Sequence, residues 1–144
     1  MQGLSCDAFP PSVGKVIQKF FYMLNISDTQ LVVLTQDKRA SLAERIDRWL
    51  LNEDNAWPAV DPQQRFQLLS DIMIYAEQGG MQSELDFAVF CRATILLRAD
   101  WQGFVEAEPQ RTLLLNKDFT VNSKLRAYYN RAERTARSRT GKGG

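Results

Sequence analysis

Residues 62–101 constrain the fold more than any other stretch, because they read as a helix, a glycine break and a second helix. Phe66, Leu69, Met73 and Ala76 recur at spacings of three and four, with Leu68, Ile72 and Tyr75 on a neighbouring row. That spacing predicts a broad apolar stripe at helical period. Pro62 suits a first turn, where its missing N–H removes a donor that would lack an intrahelical partner. Gly79 and Gly80 supply the stop, since glycine accepts the left-handed conformation that closes a last turn. Ser83 is placed to restart the chain, its hydroxyl accepting the backbone N–H of Asp86, whose charge suits the positive helix end. Leu85, Phe87, Ala88, Val89, Phe90, Cys91, Ile95, Leu96 and Leu97 then make the second helix apolar around most of its circumference. Such a helix is expected at the centre, packed on two or more sides.

The flanking segments extend the helical reading. Residues 1–11 read as irregular, with Gly3, Pro10 and Pro11 against regular structure. Val13, Val16, Ile17, Phe20, Phe21 and Leu24 form a short helical stripe suited to the core or to a partner. Ser27 and Gln30 have the spacing of a capping box, and Ile26 and Leu31 that of a hydrophobic staple. They open a helix predicted over residues 28–51, with Leu31, Leu34, Leu42, Ile46, Trp49 and Leu50 inward and a polar middle at 36–39. Asn52, Asn55 and Pro58 close it. Residues 100–109 read as a loop whose Trp101, Phe104 and Val105 seal the core edge or meet a partner. A short helix or turn follows at 111–115. Ser123 or Asn122 then caps a last helix bearing Leu125, Tyr128, Tyr129 and Ala132. The expectation is an all-α chain: a single compact helical domain of about five to six helices built around a central helical hairpin, spanning residues 12–130. The basic residues 131–144 are expected to be disordered, having too little apolar area to bury.

Composition narrows the chemistry. A chain of 144 residues with 44% apolar content is about one domain. No run reaches the roughly 18 uninterrupted apolar residues of a membrane span, and no positive segment followed by an apolar one marks a secretory signal. Cys6 and Cys91 are too few for a disulfide framework, which favours a reducing cytoplasm. There is no histidine, so the commonest general base and most zinc sites are excluded. Glycine-rich phosphate loops are missing as well, since Gly79 and Gly80 follow a helix rather than a strand. Carboxylate pairs such as Glu53 with Asp54, or Glu84 with Asp86, fall at helix ends, where capping and solvation explain them. The chain therefore reads as a non-enzyme with no cofactor and no metal site. Charge is uneven: from Lys124 onward seven basic residues face one acidic, while the other 123 residues carry 11 basic and 16 acidic.

Several spaced features resemble the small helical module that accompanies type VI secretion effector-loading chaperones, also called adaptors. They are Ile26, Ser27, Gln30, Leu31 and Leu34, then Tyr75, Ala76 and Gly79, then Ser83, Leu85 and Phe90, and last Phe104, Pro109, Leu113, Leu114, Lys124 and Leu125. The similarity spans roughly residues 26–128, and it covers no part of an adaptor's larger effector-recognition domain. It implies a bacterial, cytoplasmic co-chaperone that binds an adaptor, an effector or both before secretion, and it carries no catalytic residues.

Protein interfaces favour aromatic anchors and arginine in a desolvated centre. The expected partner-binding residues are accordingly Phe20, Phe21, Trp57, Trp101, Phe104, Tyr128, Arg131 and Arg134. Two other readings stand beside the co-chaperone. An immunity protein would bind a cognate toxin. A nucleic-acid accessory protein would use the basic tail, with Tyr128 and Tyr129 stacking on bases; the acidic body argues against it. Self-association is left open.

Overall fold

The computed structural model describes residues 36–54 and 56–143, with side chains over 37–54 and 56–138. Among the described residues the chain is all-α: α1 (Gln36–Glu53), α2 (Pro62–Gln78), α3 (Glu84–Ile95), α4 (Trp101–Glu106), α5 (Gln110–Leu115) and α6 (Val121–Gly143), with single 3-10 turns at Trp57–Ala59 and Arg98–Asp100. The stripe containing Phe20 and Phe21, the capping box of Ser27, and Leu31 and Leu34 lie outside the described residues.

Local signals set most of the boundaries. In α1, Leu42, Ile46, Trp49 and Leu50 are buried, as their spacing predicts. The Asp61 carboxylate accepts the backbone N–H groups of Gln63 and Gln64 ahead of Pro62, so α2 begins on a true side-chain cap. Its far end is a Schellman closure. The Gly80 N–H donates to Glu77 O, the Met81 N–H donates to Ala76 O, and Gly80 takes φ +88°. A side chain at Gly80 would be strained in that conformation. The Ser83 hydroxyl accepts the Asp86 N–H at 3.1 Å and opens α3.

At the centre stands α3, with nine of its side chains buried from Leu85 to Ile95. It packs most extensively on α6, then on α2, and touches α1 and α4 as well. The arrangement does not single out the α2–α3 pair as the centre, for α2 is two-faced. Leu69, Ile72, Met73 and Ala76 are buried, whereas Phe66 and Ile74 are 41% and 45% exposed. Phe66 thus leaves the predicted inward stripe, while its neighbour Arg65 ties the start of α2 to α1 and to the turn before it. The Arg65 Nε donates to Asp47 Oδ1 at 2.8 Å and its Nη1 donates to Val60 O at 2.8 Å.

Two segments depart from the sequence reading. Residues 100–109 hold a helix, α4, whose Phe104 and Val105 are both buried in the core. The last helix starts earlier than Ser123, since the Thr120 hydroxyl accepts the Ser123 N–H at 3.1 Å and is the cap. That helix also continues through residues 131–143, where a disordered tail was expected. Ala132 is buried beneath this extension and Glu133 pairs with Arg137 one turn on at 3.6 Å, so packing and an i,i+4 pair carry the helix past Tyr129.

Lys124 joins three of these elements. It is 6% exposed, and its Nζ donates to Leu114 O at 2.9 Å and to Gly79 O at 3.2 Å. A cation is thereby set against the carbonyl ends of α5 and α2, the favourable end of both helices. Desolvation lowers its pKa from the ordinary 10.5. Gly79, Leu114 and Lys124 meet at this one point. A Cβ at Gly79 would come within 3.3 Å of Leu114.

Candidate partner-docking groove

The end of α1 is organised by two carboxylates. Asp47 accepts from Trp57 Nε1 at 2.8 Å as well as from Arg65. Asp54, nearly buried, accepts the backbone N–H groups of Ala56 and Trp57 at 2.9 and 3.1 Å. The Arg98 Nη1 donates to both oxygens of Asp54 at 2.9 Å. Asp54 thus caps the turn after α1, as its helix-end position suggests, but it does so buried and ion-paired rather than solvated. Arg98 reaches it from a backbone at φ +55°, which a residue with a Cβ seldom adopts.

Between that turn and α2 lies a groove of about 370 Å³, lined mainly by Trp57, Val60, Leu68, Ile95, Ala99 and Trp101. Its floor is core: Trp57 is 2% and Ile95 3% exposed. Trp101 is the raised wall, half-buried, its ring edge-on to Tyr75 at 5.8 Å and 82°. Arg98 and Gln64 form the polar rim. A second groove, about 510 Å³, lies on the other side of Trp101 among Asp71, Ile74, Tyr75, Gln78, Glu106 and Arg111. There the polar groups pair with one another. The Tyr75 hydroxyl donates to Glu106, and Arg111 Nη1 donates to Gln78 Oε1 at 2.8 Å.

The structure sorts the expected anchors into groups. Trp57 and Trp101 come together on the apolar groove. Phe104 and Tyr128 do not reach the surface as anchors; they belong to the core. Tyr128 stacks on Phe90 at 4.5 Å and meets Phe104 edge-on at 5.5 Å. The Thr94 hydroxyl donates to Phe90 O at 2.8 Å, so at 2.7 Å the Tyr128 hydroxyl is the donor to Thr94 Oγ1. With its polar end satisfied inside, Tyr128 gains most by burial, and burial pushes its hydroxyl well above the ordinary range. Tyr129 is buried likewise, so neither tyrosine is presented for base stacking. Arg131 is half-buried and donates from Nη1 to Pro109 O at 3.4 Å, whereas Arg134 is exposed. Phe20 and Phe21 lie outside the described residues. Leu68, Ile95, Arg98 and Ala99 were not singled out as site residues. Their signal is tertiary, because two loops and a helix face must meet before the groove exists.

Cys91 is fully buried on α3, and desolvation raises its thiol pKa, which favours the inert thiol. Among the described residues no group of three or more histidines, cysteines, aspartates or glutamates could hold a metal ion, and no helix is long and apolar enough to cross a membrane. Compared with protein-family models, with curated proteins and with solved structures, the chain matches none. None of these comparisons links the chain to secretion adaptors.

Proposed function

We propose that this chain is a non-enzymatic protein-binding module, and that it acts as a co-chaperone assisting the loading of a type VI secretion effector. The observation that carries the binding part is the groove beside Trp101. Its apolar floor is already held by the core, so an entering side chain displaces water without breaking any internal hydrogen bond. A large aromatic wall with an arginine on the rim matches the make-up of interface hot spots. The occupant is a segment of the partner, adaptor or effector, presenting one or two apolar side chains. The secretion assignment is supported by the resemblance. Its carrying residues Gly79, Leu114 and Lys124 form the joint between α2, α5 and α6, which makes that similarity one of scaffold, with the groove as the working surface. The module acts in the cytoplasm in this reading, before export.

The test is capture from the native cytoplasm on tagged full-length chain, washed at about 0.3 M salt, where the screening length is only about 5–6 Å. Recovery of a secretion adaptor or effector at near-equal amounts is the expected result. Recovery of a toxin alone would replace this reading with an immunity function.

A further inference from the structure

Helix α2 carries two large apolar side chains on its outer face, Phe66 and Ile74, 41% and 45% exposed. Half-buried Ser70 stands midway between them, and residues four apart share one face of a helix. Gln63 and Gln67, both exposed, complete the face. Its charges are already engaged, since Glu77 accepts from Arg39 and Asp71 accepts from Gln67 Nε2 at 3.0 Å. An apolar centre with few free charges is the make-up of an interface core. Beside Phe66 the first turns of α2 shape an open hollow of about 690 Å³, walled by Asp61, Pro62, Gln63 and Gln67.

The order of these residues selects the occupant. Outward from Ser70 the face is its own complement: an apolar side chain stands four positions away in each direction, with a small one between. We propose that α2 pairs with α2 of a second copy of this chain, antiparallel, about a two-fold axis at Ser70. That axis sets Ile74 of each copy against Phe66 and the hollow of the other, the self-complementarity that a closed dimer requires. Seven positions from Ser70 it brings Gln63 to Glu77, an amide donor to a carboxylate that Arg39 already pairs. Serine at the crossing lets the helix ridges interlock closely. Asp71, one residue past the axis, is the exception, because its two copies share one side of the rim and repel weakly. Two 17-residue helices meeting at one crossing bury less than the roughly 1,200 Å² of a standard interface. The dimer is accordingly weak, with a Kd between about 10 µM and about 1 mM. Leu68, which α2 turns to the groove beside Trp101, lies nearly half a turn of helix away. The dimer therefore leaves both copies of that groove open, and its fate is independent of the docking reading.

Sedimentation equilibrium of the full chain from about 10 µM to about 1 mM tests the pairing. A single monomer–dimer equilibrium is expected, weakened at least about tenfold by Ile74→Asp and tightened a few-fold by Asp71→Asn. Phe119→Ser removes a similarly exposed aromatic outside α2 and should leave the equilibrium unchanged. Position is read by oxidation in a Cys6→Ser background, Cys91 being buried. Ser70→Cys should link two chains readily, whereas Gln63→Cys, whose two copies stand about 21 Å apart along the helices, should not. A chain that stays monomeric at about 1 mM, as it would if another part of the chain covered the face, overturns the proposal. So does assembly beyond dimers, wild-type affinity in Ile74→Asp, or equal linking at positions 63 and 70.

Discussion

Trp101 separates two grooves of opposite make. On one side the lining is apolar, and its polar neighbours Asp54 and Asp47 are already satisfied beneath the surface by Arg98, Arg65 and backbone N–H groups. On the other side the lining is polar, yet Tyr75 is spent on Glu106 and Arg111 on Gln78. The polar groove is larger and looks the more chemical of the two. A ligand there must first break hydrogen bonds between side chains, while a ligand in the apolar groove displaces only water. What distinguishes a docking surface is thus which groups remain uncommitted, rather than which are polar.

The largest effect should come from removing the floor of the apolar groove. Trp57→Ala takes away a buried indole and leaves Asp47 with one donor fewer. A loss of about 3–5 kcal/mol in stability is expected from urea unfolding. A loss under about 1 kcal/mol would show that the floor is not core and would blur the contrast between the grooves.

Lys124→Met tests the scaffold under the polar groove. The C-terminal ends of α2 and α5, at Gly79 and Leu114, would lose the donor that joins their carbonyls. The expected cost is about 1–3 kcal/mol, the range for a buried acceptor left unmet. An unchanged unfolding midpoint would mean that packing alone holds this joint.

Alkaline pH provides a graded test. Cys91 is raised from an ordinary 9.0, and Tyr75, Tyr128 and Tyr129 are raised from 10.0, so the folded chain keeps protons that the unfolded chain releases. For Tyr75 the hydrogen bond to Glu106 is the main cause; for the other three it is desolvation. Each contributes stability that is fully present below its unfolded value and is lost as pH rises toward its folded value. Lys124 works in the other direction, because the unfolded chain holds that proton up to 10.5. Four groups against one predict a falling urea midpoint above about pH 9. A rising midpoint from pH 9 to 10.5 would contradict this balance.

The smallest effect belongs to the polar groove itself. Tyr75→Phe removes one hydrogen bond to Glu106 and keeps the edge-on contact with Trp101. It should cost about 0.5–1 kcal/mol in stability and leave partner capture unchanged.

Sequence legibility followed the range of the interactions. Local signals read well: the Ser83 cap, the glycine stop at Gly79 and Gly80, and the inward row of Leu42, Ile46, Trp49 and Leu50 all need only neighbours within a turn or two. The helix α4 was read as a loop, because Gly103 and the short span between Asp100 and Pro109 offer little propensity, and Phe104 and Val105 gain their reason to be helical only from the core. Tyr128 misled as an anchor for a similar reason. Its burial depends on Thr94, 34 residues away, giving its hydroxyl a partner. The basic end of the chain looked unable to order itself, and no local pattern showed that α6 would extend through it on the packing of Ala132. Of the site, Trp57 and Trp101 were legible as large aromatics, whereas their meeting with Leu68, Ile95 and Arg98 was not.

The central claim is that partners dock at the apolar groove with Trp101 as its wall. The most direct measurement is the affinity of the captured partner at about 0.3 M salt for wild type, Trp101→Ala and Arg111→Ala, each checked for helix content first. The account predicts that Trp101→Ala loses about 2 kcal/mol or more of binding, roughly thirtyfold, while Arg111→Ala stays within about 0.5 kcal/mol. Equal affinities for Trp101→Ala and wild type, or a greater loss in Arg111→Ala, would place the interface elsewhere and contradict it.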